Sequence, residues 1–172
     1  MSTARLPRNR ATSPLRVAMA SFIGTTVEFY DFLIYGTGAA LVFPKLFFPN
    51  VSPASGLLLS FATFGVGFVA RPLGGIVFGH FGDRVGRKRM LVYSLLIMGS
   101  ATVLMGLLPT YSHIGLAAPI LLTLLRLVQG FAVGGEWGGA TLMAVEHASA
   151  ERKGLYGAFP QMGAPAGTAT AT

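Results

Sequence analysis

Gly79-His80-Phe81-Gly82-Asp83-Arg84-Val85-Gly86-Arg87-Lys88-Arg89 is the stretch on which the fold turns. Arg84, Arg87, Lys88 and Arg89 crowd its second half. Gly56 to Gly79 before it carries Arg71 as its one charge, and Met90 to Leu125 after it carries none. A basic turn between two apolar runs of membrane length marks a short cytoplasmic loop. Arginine and lysine alone would be enough to orient such a loop. Gly79, Gly82 and Gly86, which permit a tight turn, and Asp83, the acid inside the cationic cluster, ask for a further explanation.

Composition supports a membrane chain. It is 52% hydrophobic and only 11% charged, against about 25% charged for an average soluble domain. The net charge of +7 raises the question of nucleic acid, so the placement of charge decides. Ten of the thirteen Lys/Arg lie in three clusters: Arg5/Arg8/Arg10/Arg16, Arg84/Arg87/Lys88/Arg89 and Arg152/Lys153. Apolar segments separate them, which suits inner-leaflet loops and not a groove for phosphates. No nucleic-acid partner is expected. The absence of Cys excludes disulfides, thiol catalysis and Cys-ligated metal.

Residues 1–15 are polar and basic with Pro7 and Pro14, and read as a disordered cytoplasmic tail. Residues 16–172 read as a helical membrane region, with helices at about 17–43, 56–79, 90–109, 119–146 and 154–172. A signal peptide does not suit the first span, which is too long and holds Glu28 and Asp31 at its centre. Pro44 to Ser55 reads as an irregular loop on turn chemistry, and Pro119 suits the first helical position of the fourth span. Thr110 to Ala118 is an outer loop without Lys or Arg. Inner positions carry ten Lys/Arg against Lys45 alone outside, so the N-terminus is expected in the cytoplasm. The expected fold class is all-α integral membrane, with four complete transmembrane helices and part of a fifth.

Glycines recur at spacing four: Gly75/Gly79, Gly130/Gly134, Gly134/Gly138, Gly135/Gly139 and Gly163/Gly167. Such pairs let helices approach closely in lipid. In a chain with 23 glycines some pairs arise by chance, and the dense cluster of the fourth span is the persuasive one.

Glu28, Asp31, Arg71, Arg126 and Glu136 are ionisable side chains inside spans. Each costs at least about 2.5 kcal/mol at bilayer depth, so they are expected to face a bundle interior or a water-filled cavity. Glu28 and Asp31 share one helical face, where at least one of them is expected to take up and release a proton; the alternative is a static ion pair. Arg126, Gln129 and Gly130 share a face of the fourth span, with Arg126 a counter-ion for a first-span carboxylate or a fork for an anionic substrate. Glu136 lies about 15 Å further along that helix. Pro72 should kink the second span, and Arg71 either snorkels, pairs structurally or touches substrate. Gln161, among Pro160, Gly163 and Pro165, suits an irregular polar helix lining a cavity. His80, His113 and His147 show no metal-ligand spacing, so no metal is expected.

The loop Gly79-x-x-x-Asp83-Arg84-x-Gly86-Arg87-Lys88 resembles the signature between helices 2 and 3 of the major facilitator superfamily. Thr26-Val27-Glu28-Phe29-Tyr30-Asp31-Phe32 with Tyr35-Gly36, Ala70-Arg71-Pro72-Leu73-Gly74, Arg126-Leu127-Val128-Gln129-Gly130 and Gly134-Gly135-Glu136-Trp137-Gly138-Gly139 are similar to its bacterial metabolite:proton symporter branch. Arg152-Lys153-Gly154-Leu155-Tyr156-Gly157 and Pro160-Gln161-x-Gly163 also match that branch. The resemblance implies twelve helices in two halves, with the site at their interface. It implies proton-coupled secondary transport of a small polar metabolite such as an organic acid, amino acid or betaine. The proton is the coupling ion and no cofactor is implied. It assigns Asp83 and Arg84, with Gly79 and Gly86, to an ionic latch on the inner side, where Arg87 and Lys88 would anchor to phosphates and carboxylates.

Expected partners are membrane lipid, the metabolite, the proton and a C-terminal half of the transporter that lies outside this sequence. The expected location is the inner (plasma) membrane, multi-pass. Two competing readings are a non-functional remnant of a truncated transporter gene and a drug/proton antiporter of the same superfamily. The intramembrane charges, and a fifth segment without the Gly-x-x-x-x-Gly-Pro-x-x-Gly-Gly run, speak against the antiporter. An enzyme is not expected, since no nucleophile–base set or metal cluster is present.

Overall fold

The computed structural model describes residues 14–146 and 153–172, with side-chain surroundings for 15–16, 18–135 and 154–172. Residues 1–13, the 147–152 segment with Arg152, and the side chains of Glu136 and Lys153 lie outside the described residues. Among those described, every element is helical: α1 Pro14–Leu41, α2 Phe43–Phe47, α3 Pro53–Val85, α4 Arg87–Gly106, α5 Tyr111–Ile114, α6 Ala117–Glu146 and α7 Lys153–Ala171. Helices α3, α4 and the Ala117–Gly135 part of α6 are long and apolar enough to cross a membrane. α1 has the length at 28 residues, but Glu28 and Asp31 dilute its apolar run. The short α7 is lightened by threonine, proline and glycine.

Side chains are sorted in the sense that suits lipid. The buried stripe of α3 is Gly56, Ser60, Thr63, Gly67, Ala70, Gly74, Phe78 and Gly82, mostly small residues at helical spacing. Its large apolar side chains, such as Leu58, Val69, Leu73 and Ile76, face outward. In water that distribution would leave too much apolar surface exposed. In lipid, helices gain little by hiding leucine and associate through close backbone contact.

The closest contact is between α3 and α6. A side chain at Gly130 would strike the backbone of Gly67, one at Gly134 the backbone of Arg71, and one at Gly74 the carbonyl of Phe131. The cluster of the fourth span thus meets glycines of the second. Gly163 and Gly167, a pair that chance would explain on sequence, seat α7 on α1: a Cβ at Gly163 would lie 2.7 Å from Thr25 Cβ and 2.8 Å from the Phe22 carbonyl. At one end of the bundle, Tyr35, Ala39, Phe47, Ala118 and Leu122 form a buried apolar cluster.

Several local expectations are corrected. The Pro44–Ser55 loop contains α2, because Pro44 sits in its first turn and Phe47 has a core to enter. The outer loop likewise holds the one-turn α5. α3 starts at Pro53, with Ser52 capping it through a 3.2 Å bond from the Ser55 amide to its hydroxyl. It continues without a break through Pro72 to Val85. The tight turn is therefore made by Gly86 alone, at φ 106°, a conformation open to glycine. Gly79 and Gly82 are helical. Pro119 is the third residue of α6, and α7 is continuous through Pro160 and Pro165.

Gly130→Ala should destabilise the protein by about 1–3 kcal/mol, since the obstacle is backbone and cannot rotate away. A Cβ at Gly79 would meet nothing within 4 Å, so Gly79→Ala should be neutral or stabilising by up to about 1 kcal/mol. Thermal unfolding of the purified protein in detergent checks both.

Candidate functional site

Mid-helix carboxylates and arginines meet where α1, α3, α4 and α6 converge. The i, i+3 spacing of Glu28 and Asp31 puts both on the inner face of α1, but the two do not share one partner. Arg126 on α6 reaches Asp31, with Nη1 3.5 Å from Oδ2. Arg71 on α3 reaches Glu28, with Nη2 3.4 Å from Oε1. Two ion pairs stand side by side.

The Asp31 carboxylate is the better engaged of the two, although Arg126 Nε is buried without a hydrogen-bond partner. Gln129, one turn beyond Arg126 and 1% exposed, donates from Nε2 to Asp31 Oδ2 at 2.6 Å and to Thr102 Oγ1 at 2.8 Å. Its Oε1 accepts from Arg126 Nη1. The Thr102 hydroxyl on α4 donates its one hydrogen between Asp31 Oδ1 at 3.1 Å and the Met98 carbonyl at 3.0 Å. Both carboxylate oxygens are thereby satisfied, as a charge taken out of water requires.

Two stacked aromatic rings flank the cation. The Arg126 guanidinium carbon lies 3.9 Å from the centre of the Tyr35 ring and 5.0 Å from that of Phe64. Tyr35 is held in turn by a 2.8 Å hydrogen bond between its hydroxyl and Thr63. Gly67 supplies the room: a Cβ there would be 3.1 Å from Arg126 Nε. A delocalised guanidinium suits this setting, since it stacks on aromatic faces while its fork binds carboxylate.

The Glu28 pair is looser. Glu28 is 4% exposed, its Oε1 holds Arg71, and its Oε2 is buried without a hydrogen-bond partner. Arg71 is about one-third exposed and lies 4.8 Å over the Phe68 ring.

The remaining sequence candidates lie apart. Asp83 pairs with Arg87 across the α3–α4 turn at 3.3 Å, an exposed i, i+4 contact. Arg84 and Lys88 beside it are exposed, and Gly79 lines the adjoining groove with Asp83 and Arg87. Gln161 is exposed on α7 and is not brought to the ion pairs. Glu136 is on α6 about 15 Å beyond Arg126 along the axis, with its side chain outside the described residues. Thr102, Tyr35, Thr63 and the Phe64 ring are the members of the site that sequence reasoning misses. A lone Thr in an apolar span gives no periodic signal, and Tyr35 stands out only as part of a motif. No group of three His, Asp or Glu with metal-holding geometry is found among the described residues.

The family model of sugar (and other) transporters matches residues 17–172. A shikimate transporter of Escherichia coli K12 is 61% identical over 148 residues, 86% of this chain and 34% of the relative. The inner membrane metabolite transport protein YhjE of the same organism is 59% identical over 152 residues, 88% of this chain and 34% of its own. A proline/betaine transporter of Salmonella typhimurium is 40% identical over 148 residues, 86% of this chain and 29% of the relative. The chain thus spans about one third of the length of the curated relatives it matches, each of which is named as a transport protein and not as an enzyme. No solved structure matches it. With helices that pack by glycine contact, apolar residues turned outward and charges gathered inside, the chain is an all-helical membrane protein belonging to the sugar (and other) transporter family of the major facilitator superfamily.

Proposed function

We propose that this chain forms the first part of a proton-coupled symporter for a small polar metabolite. The observation that carries the reading is the buried cluster in which Asp31 is held by Arg126, Gln129 and Thr102 from two other helices. A carboxylate so deep in an apolar bundle is costly unless paired, and an approaching or departing arginine changes its hold on a proton. Movement of α6 against α1 would load and unload Asp31. Glycine-to-backbone contacts between α3 and α6 fit helices that slide as units, because no interlocked side chains must be unpicked. Shikimate and proline/betaine transporters among the relatives suggest a small acid, amino acid or betaine as substrate.

The full transporter would hold residues 16–172 within its first six-helix half, the metabolite between that half and a second one, and the whole in the bacterial inner membrane. Glu28, Gln129, Glu136 and Gln161 would contribute to proton coupling or to the cavity wall, with Arg71 facing substrate. The N-terminus and the 79–89 turn would be cytoplasmic, on the distribution of Lys and Arg. Asp83 with Arg87 would act as a latch at the inner end, in company with Gly79, Arg84, Gly86 and Lys88. An exposed pair of that kind is worth at most about 1 kcal/mol, which suits a contact that must open in every cycle.

Three outcomes are expected of the full-length transporter. Asp31→Asn should abolish accumulation of substrate against its gradient while leaving downhill exchange; uphill uptake with unchanged pH dependence would assign the proton elsewhere. Asp83→Asn should cut uptake severalfold at unchanged membrane abundance, and wild-type uptake would reduce the turn to a topology signal. Cysteines placed at Ser2 and Ser112 should be labelled by an impermeant reagent in intact cells at Ser112 only, and the reverse pattern would invert the orientation.

A further inference from the structure

The hydrogen bonds around Asp31 fix more than its position. Arg126 is a donor at every nitrogen, so the Gln129 amide turns its oxygen to Arg126 Nη1 and its nitrogen to Asp31 and Thr102. That nitrogen has two hydrogens, and both are committed: one to Asp31 Oδ2 at 2.6 Å, the other to Thr102 Oγ1 at 2.8 Å. Among the described residues Asp31 Oδ2 is thus met only by donors, Gln129 Nε2 and, at 3.5 Å, Arg126 Nη1. Oδ1 faces Thr102 Oγ1, at 3.1 Å. A hydroxyl carries one hydrogen and two lone pairs. One lone pair of Thr102 takes the Gln129 hydrogen, and the second is unclaimed among the described residues. The hydroxyl hydrogen has two acceptors in reach, Asp31 Oδ1 and the Met98 carbonyl one turn back, at 3.0 Å. Bonding to the i−4 carbonyl is common for helical threonine, as at Thr25 and Thr26. Thr102 differs from these in that a carboxylate and an amide reach it from two other helices.

Two complete arrangements follow, and they differ by the rotation of one hydrogen. With Asp31 ionised, the Thr102 hydroxyl donates to Oδ1. With a proton on Oδ1, the acid donates to the second lone pair of Thr102, and the Thr102 hydrogen turns to the Met98 carbonyl. A proton on Oδ2 would point at the hydrogens of Gln129 and Arg126. We infer that Thr102 is the positioning residue of the proton site: it directs the proton to Oδ1 of Asp31 and partners the carboxyl in both its charged and its neutral form. This inference rests on the proton-coupling reading above. Gln129 and Arg126 cannot serve in this way, since both offer only donors to Asp31, and a polar group left without a partner in one state opposes that state. The neighbouring ionisable groups are engaged elsewhere. Glu28 on the same helix is held by Arg71 of α3, the Tyr35 hydroxyl is bonded to Thr63, and α4 carries no charge from Met90 to Gly106.

The test is infrared difference spectroscopy, acid minus neutral, on the purified full-length transporter, with proton-driven uptake measured on the same variants. Wild type should show a carboxyl C=O band that Asp31→Asn removes. Thr102→Val keeps the shape and loses the hydroxyl; it should move that band to higher frequency and slow uptake severalfold, and Thr102→Ser should restore both. A packing role for Thr102 predicts the opposite order, with Thr102→Ser impaired and Thr102→Val unharmed. Thr102→Cys reads the rotation directly and does not depend on how Thr102→Val behaves. Its S–H stretch should rise in frequency on acidification, as the thiol passes from a carboxylate to a carbonyl acceptor. A C=O band unmoved in Thr102→Val means that water, reaching the 16% of the Asp31 side chain left exposed, accepts from the acid, and overturns the proposal. An S–H stretch at one frequency in both states overturns it too, as does uptake in the packing order. A wild-type spectrum without any Asp31-dependent band overturns the proton reading itself, and this assignment with it.

Discussion

The close approach of α3 to α6 is the constraint on which the rest depends. At Gly67/Gly130, Arg71/Gly134 and Gly74/Phe131 the two helices meet backbone to backbone. No side chain intervenes there, so Arg126 is squeezed past Gly67 and extends toward α1, beside the stacked rings of Tyr35 and Phe64. The same contact brings Arg71 round to the Glu28 side. In lipid no hydrophobic force sets the distance between helices, so residue size at the contact sets it. The placement of charge follows from the absence of side chains.

That geometry explains why two carboxylates one turn apart have such different surroundings. Asp31 faces α4 and α6, where Thr102 and Gln129 supply donors and Arg126 a counter-charge. Glu28 faces α3 and finds one arginine and a set of phenylalanines. A buried ion pair adds little net stability after desolvation, and removing one partner is costly. These pairs are therefore groups that the helix packing accommodates, not the glue of the bundle. The glue is the glycine contact and the apolar cluster around Tyr35, Phe47 and Leu122.

Aromatic residues tie the two regions. Phe64 stacks on Tyr35, which holds Arg126, and packs edge-on to Phe68, over which Arg71 lies. Phe32 touches both Phe64 and Phe68. The rings form one contiguous packed path from Arg71 to Arg126.

Sequence alone determined the membrane character, the all-helical class and the family, because these follow from local quantities: apolar run length, the clustering of Lys and Arg, and a loop motif written in consecutive residues. It also named all four ionisable groups of the two ion pairs, since a charge in an apolar span stands out whatever it touches. The pairing itself was a tertiary decision. Helical periodicity puts Glu28 and Asp31 on one face, but which arginine each meets depends on how α3 and α6 rotate against α1. The role of Thr102 was invisible for the same reason, as a hydroxyl becomes a ligand only when another helix delivers a carboxylate to it, and the Tyr35 ring meets a cation only when α6 carries Arg126 to it. Gly163 and Gly167 were indistinguishable from chance until α1 was laid across them, and Gly79 and Gly82 passed for turn residues until α3 ran through both. A one-dimensional pattern records which groups must be hidden from lipid; only the packed helices decide from whom each group receives its partner.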